Sequence, residues 1–226
     1  MTFDLLVFDW DGTLMDSEAR IVASVSSAFV DLGMEPPARA QSREIIGLGL
    51  EQAMLKLWPE STAAQRTALM RRYRHHFLEV DDTPMPLFPR AAEVIAELHA
   101  SGYLLAVATS KSRRGLVSAL EESGLQPFFH ATRCADETFS KPHPQMLTEL
   151  LDELGAGAGR SLMIGDTEYD LEMARNAGVA ALGVSTGVHS PERLLALQPL
   201  ACLPSIAELP AWLRRECDSA GRAYRG

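Results

Sequence analysis

The sequence predicts an α/β protein: a doubly wound parallel sheet with an α-helical segment inserted after its first strand. Three observations predict it. Residues 5–8 form a short, unbroken apolar run, the pattern of a strand covered on both faces. Residues 16–80 read as helix throughout. From Leu87 onward, apolar strands and amphipathic helices alternate through short connections, which builds a parallel sheet with its ligands at the carboxyl ends of the strands.

Each element has its own signal. The strand at 5–8 runs into Asp9-Trp10-Asp11-Gly12-Thr13-Leu14, where Gly12 permits the positive φ of a sharp turn. Over 16–32, Ile21, Val22, Val25, Ala28, Phe29 and Leu32 recur at helical spacing, and Gly33 closes the run. Helix resumes after Pro36-Pro37 through Ile46, breaks at Gly47-Leu48-Gly49, and continues to Trp58-Pro59. A long helix is expected from Ser61, as N-cap, to Val80. The segment 81–86, with Pro84 and Pro86, reads as a hinge. Helices then fall at 91–100, 112–123, 144–154 and 167–177, with strands at 103–108, 128–132, 161–164 and 180–184. A short helix from Ser190-Pro191, an edge strand at 201–203 and a last helix at 206–217 complete the chain. Two units are expected: residues 1–15 with 84–226 as the α/β core, and 16–83 as the helical insertion.

Composition narrows the function classes. With 226 residues, 23% charged and 46% hydrophobic, the chain is an ordinary globular protein able to bury a full core. No run of eighteen apolar residues occurs and no signal peptide is read, so neither membrane nor export is expected. Cys134, Cys202 and Cys217 are odd in number and unpatterned, which fits a reducing cytoplasm. A net charge of −9 argues against nucleic acid.

The functional signal lies at the strand tips. Asp9 and Asp11 follow the first strand, Thr109 and Ser110 the second, and Asp166, with Asp170 one turn later, the fourth; Lys141 precedes a helix start. Two carboxylates one residue apart repel unless a cation lies between them. A lysine just before a helix N-terminus is disfavoured by the helix dipole unless an anion is shared. All these tips lie on one rim of a parallel sheet.

Asp9-x-Asp11-Gly12-Thr13, then Thr109, then Lys141, then Gly165-Asp166-Thr167-x-x-Asp170 resembles the four motifs of the haloacid dehalogenase superfamily across the core from end to end. The resemblance is closest to its phosphoglycolate-phosphatase-like branch, and the helical insertion matches that family's cap. It implies a Rossmann-like core and a Mg²⁺-dependent hydrolase of small phosphomonoesters, such as phosphoglycolate or a sugar phosphate. Asp9 would be the nucleophile and Asp11 the acid/base. Thr109 and Lys141 would hold the phosphate, with Gly12 and Ser110 beside them. Asp9, Asp166, Asp170 and Asp11, the last through its backbone carbonyl, would surround the metal. These residue types suit the chemistry, since phosphoryl transfer depends on positioning and on cations between an anionic nucleophile and an anionic phosphate. Gly47, Leu48 and Gly49 would form a cap loop over the leaving group, with Arg43 able to read an anionic one or to serve the surface.

Other features have plain readings. Gly155-Ala156-Gly157-Ala158-Gly159 precedes a strand instead of following one, so it is a flexible connection. His75, His76 and the pairs Arg113-Arg114 and Arg214-Arg215 read as solvated surface, and Met70 and Met163 as core. A phosphomutase would use the same nucleophile and acid. A phosphorylation-switched receiver module separates its acceptor from its acidic pair and carries no helical insertion, and a non-catalytic regulatory relative would not need every motif residue intact. A monomer or homodimer is expected.

Overall fold

The computed structural model describes residues 3–223, with side chains through Glu216, so Cys217 lies outside the described side chains. Its centre is a six-stranded sheet in the order β3-β2-β1-β4-β5-β6, all neighbours parallel. The strands are β1 (Leu5–Phe8), β2 (Leu104–Thr109), β3 (Ala131–Cys134), β4 (Ser161–Gly165), β5 (Ala180–Val184) and β6 (Cys202–Leu203). β1 pairs on both sides, Leu5 with Leu104 and with Ser161, so its tip stands between those of β2 and β4.

Side-chain alternation along β1 builds two cores. Leu6 and Phe8 face a layer that includes α5 (Ala91–Ala100), α6 (Arg113–Ser123) and α10 (Leu209–Ala223). Leu5 and Val7 face α7 (Gln145–Leu154) and α8 (Glu168–Asn176) on the opposite side. All four side chains are fully buried, each contributing about 1.5–3 kcal/mol. A third cluster belongs to the insertion. There α1 (Glu18–Asp31), α3 (Leu50–Leu57) and α4 (Ala63–His75) close over Val25, Ile46, Met54, Leu69 and Phe77, with α2 (Arg39–Arg43) between them. Where chain leaves and re-enters the sheet, the two passages are tied together: Asp16 N–H donates to the Pro86 carbonyl and Phe88 N–H to that of Leu14. A short helix α9 (Pro191–Leu195) follows β5.

Three local expectations are corrected. The edge strand begins at Ala131, because Pro127 lacks an N–H for the ladder and 126–128 take a 3₁₀ turn. α4 is capped by Thr62, whose hydroxyl accepts from Gln65 N–H while the Gln65 side chain accepts from Thr62 N–H; this reciprocal box outcompetes Ser61, which donates to the Trp58 carbonyl. The helix expected to reach Val80 ends at His75 and finishes as a π-helical turn, His76–Val80. Cys134 and Cys202 are free thiols, and burial pushes the Cys134 thiol up to about 12.

Candidate active site

The tips of β1, β2 and β4 converge as the parallel register requires. Asp9 is anchored by its own N–H, which donates to the Ile164 carbonyl on β4. The chain then turns at Gly12 with φ +86°; a Cβ there would stand 2.2 Å from Asp166 Oδ2, so only glycine lets the two tips approach. Asp166 accepts from Thr13 Oγ1 at 2.9 Å and from Val188 N–H at 3.1 Å. Asp170, on the first turn of α8, accepts at Oδ2 from the Thr167 N–H and hydroxyl, at 3.1 and 2.7 Å.

Lys141 enters from the loop before α7 with its side chain fully buried. Its ammonium lies 2.7 Å from Asp9 Oδ1 and 2.6 Å from Asp170 Oδ1. Carboxylate oxygens of Asp9, Asp166 and Asp170 lie within 4.8 Å of one another. Three buried carboxylates against one ammonium would carry a charge of −2 if all were ionised, with little exposure to solvent. Burial raises Asp9 to about 7, with Lys141 opposing and Asp170 and Asp11 adding to the rise. Burial, then Asp9 and Asp170, holds Asp166 well above the usual carboxylate range. Burial alone would lower Lys141; Asp170 and Asp9 more than offset it and keep the ammonium charged. The cluster therefore fits a hard dication with oxygen ligands, as Mg²⁺ is. Within it Asp170 has both oxygens engaged by Lys141 and Thr167, whereas Asp9 Oδ2 has no protein donor among the described residues.

Asp11 points elsewhere. Its Oδ1 accepts from the Ser17 hydroxyl and from Lys111 Nζ, the latter at 2.8 Å. The Lys111 side chain is 4% exposed, and its ammonium lies 4.8 Å from the Phe77 ring centre. Lys111 and Ser17 were not among the residues read from sequence, and Thr13 and Thr167 were read as motif residues without a role. Lys111 could have been found as the third residue of a polar Thr-Ser-Lys tip. Thr109 is buried, and its hydroxyl accepts from Lys111 N–H at 3.2 Å.

The insertion seats directly on this rim. Ser110 Oγ donates to the Gly47 carbonyl at 2.6 Å, and a Cβ on Gly49 would stand 2.0 Å from Ser140 Oγ, one residue from Lys141. A cavity of about 460 Å³ lies between insertion and sheet, with Gly47, Leu48, Asp11, Ser110 and Lys111 on its wall. Arg43 is not on that wall; its guanidinium lies 3.0 Å from Glu18 in a half-exposed ion pair. Met163 is core, while Met70 is partly buried and lines the cavity.

This constellation, two acids on β1, a hydroxyl on β2, a buried lysine and an acid on β4, defines a class of hydrolase. Residues 6–184 match the model of the haloacid dehalogenase-like hydrolase family, and the chain belongs to that family. It is 38% identical over 209 residues to "Probable phosphatase IndB" of Dickeya dadantii, covering 91% of each chain. It is 30% identical over 225 residues to the phosphoglycolate phosphatase of Agrobacterium fabrum, covering 97% of this chain and 96% of that one. These likenesses put it in the phosphoglycolate-phosphatase-like branch. In fold it resembles a hydrolase from Pseudomonas syringae, with TM-score 0.85, 22% identity and coverage of 95% of this chain and 99% of the other.

Proposed function

We propose that the chain is a Mg²⁺-dependent phosphatase that hydrolyses a small phosphomonoester through an aspartyl phosphate on Asp9. The observation that carries this is the buried cluster of three carboxylates, Asp9, Asp166 and Asp170, around the single ammonium of Lys141, whose surplus acids a dication would match. Asp9 and Asp166, with the Asp11 backbone carbonyl, would hold the ion; bound there, Mg²⁺ screens the phosphoryl oxygens from the nucleophile.

The protein groups supply the rest. Lys141 engages Asp9 Oδ1 and so leaves Oδ2 as the attacking oxygen. A bond forms from Oδ2 to phosphorus, the ester P–O bond breaks, and Asp11 gives a proton to the departing alcohol. Water then attacks the phosphoryl group, its proton passes to Asp11, and Asp9 is restored with release of inorganic phosphate. Thr109 and Ser110, beside Lys141, hold the transferring group, and Asp170 keeps Lys141 in place. Residues 16–83 act as a cap, with the Gly47–Gly49 loop closing the site against water. No described helix is long and apolar enough to cross a membrane. The free thiols of Cys134 and Cys202 support the reducing cytoplasm as the proposed compartment.

The test is phosphate release from acetyl phosphate and a panel of esters, with Mg²⁺ and with chelator, combined with acid quenching during turnover. A phosphoryl adduct on the peptide carrying Asp9, and no isomerised sugar phosphate, is expected. Equal turnover in excess chelator, or an adduct elsewhere, refutes it.

A further inference from the structure

The cavity beside Asp11 is where the leaving group of any ester must sit, and its size and charge are informative. Cavities of about 300–1,000 Å³ accommodate ligands of ten or more heavy atoms. At about 460 Å³, this one would stay mostly wet around a two-carbon alcohol. Its walls are largely apolar, with Ile21, Ile45, Phe77 and Leu78 among them.

The charges on the wall disfavour an anion. The lining carries three carboxylates, Asp11, Glu51 and Asp136, and two cations, Lys111 and Arg74. Lys111 is the only ammonium there among the described residues, and Asp11 already engages it at 2.8 Å. The remaining charges, Arg74, Glu51 and Asp136, are all exposed, and Asp136 accepts from Arg113 N–H at 2.9 Å. Arg43 is turned outward to Glu18. A carboxylate on the leaving group would therefore meet more negative than free positive charge. Neutral partners are present instead. Tyr73 lines the cavity, its hydroxyl has no hydrogen-bond partner among the described residues, and burial, with Asp11 adding, pushes it well above its usual pKa. A polar atom left unpaired in a mostly apolar wall is suited to a ligand hydroxyl or amide.

We propose that the substrate carries an uncharged leaving alcohol of sugar or nucleoside size, held in the cavity between Tyr73 and Leu48, and that 2-phosphoglycolate is a poor substrate. This rests on the phosphatase function proposed above and narrows its substrate. The experiment uses the full chain with Mg²⁺ and compares kcat/KM for 2-phosphoglycolate, ribose 5-phosphate and a nucleoside 5′-monophosphate, with acetyl phosphate as a control whose leaving group is too small to use the cavity. A neutral-alcohol ester should exceed 2-phosphoglycolate at least about tenfold, a difference of about 1.4 kcal/mol. Gln52→Trp, at an exposed position on the cavity rim, should lower the ratio of that ester's kcat/KM to that of acetyl phosphate. Glu51→Lys should raise the ratio of 2-phosphoglycolate to the neutral esters severalfold. If acetyl phosphate is turned over and 2-phosphoglycolate leads the panel, the substrate inference is overturned and the phosphatase function stands. If not even acetyl phosphate is turned over, both fall.

Discussion

Replacing Lys141 by Met keeps the length of the buried stem and removes the one cation of the cluster. In the parent the ammonium faces Asp9 at 2.7 Å and Asp170 at 2.6 Å, with no exposed surface. Removing one partner of such a buried pair typically costs about 3–5 kcal/mol, because the other charge is left uncompensated. For a chain of this size each kcal/mol lowers Tm by about 2–4 °C, so a loss of about 6–20 °C is expected in chelator. The pH dependence separates this cost from lost packing. Without Lys141 the carboxylates can relieve themselves only by holding protons, which the unfolded chain releases above its ordinary carboxylate range. Folded protein then binds more protons than unfolded, so stability falls as pH rises. Burial raises Asp9 to about 7 even with Lys141 present and loss of the ammonium raises it further, so the deficit of Lys141→Met should be small at about pH 5 and clearly larger at about pH 8. Thermal melts by circular dichroism of parent and variant, at both pH values and in chelator, make the comparison. A deficit of equal size at both pH values, or a variant melting with the parent at about pH 8, refutes the electrostatic account.

Three further outcomes follow from the same geometry. Asp9→Asn keeps the shape but makes a far poorer nucleophile, so phosphate release should fall by about 10⁴ or more with the fold intact by circular dichroism; substantial residual turnover in verified protein contradicts the role given to Asp9. Because burial raises Asp9 to about 7 and holds Asp166 well above the usual carboxylate range in metal-free protein, Mg²⁺ must displace protons, and calorimetric affinity should rise by about tenfold or more per pH unit below about pH 7; a flat profile between about pH 5.5 and 7 contradicts it. Gly49→Ala should lower kcat/KM by driving its methyl into Ser140, and Ser140→Gly in the same chain should restore most of the loss; an additive double-mutant cycle shows the contact is not the cause.

The core was legible in the sequence because its signals are local. An apolar run ending in acids is a strand tip wherever it occurs, and parallel order alone brings Asp9, Thr109 and Asp166 to one rim. Lys141 was legible for a related reason, since its place ahead of α7 made an unshared charge costly. Asp170, read beside the metal site, does lie with Asp9 and Asp166, and its engagement by Thr167 and Lys141 is set by the first turn of α8, which spacing does not express. The cap of α4 was missed by one residue because Ser61 and Thr62 are both acceptable caps, and only Gln65, three residues after Thr62, decides between them.

What the sequence withheld is how the cap sits on the core, and under the proposed function that docking would set which leaving group fits. It is made of single contacts between distant residues: Gly49 on Ser140, Ser110 on the Gly47 carbonyl, Lys56 on Tyr169, and Arg193 bridging Glu168 and Glu44. None has a period or a neighbouring signal, since each depends on where a side chain points after two units have packed. The same docking brings Phe77 over Lys111 and commits that ammonium to Asp11. Arg43, the cation that sequence offered for an anionic leaving group, is drawn off by Glu18 of α1. The motifs therefore account for chemistry at phosphorus, while the electrical balance of the leaving-group cavity follows from cap–core contacts that arise only after both units have folded.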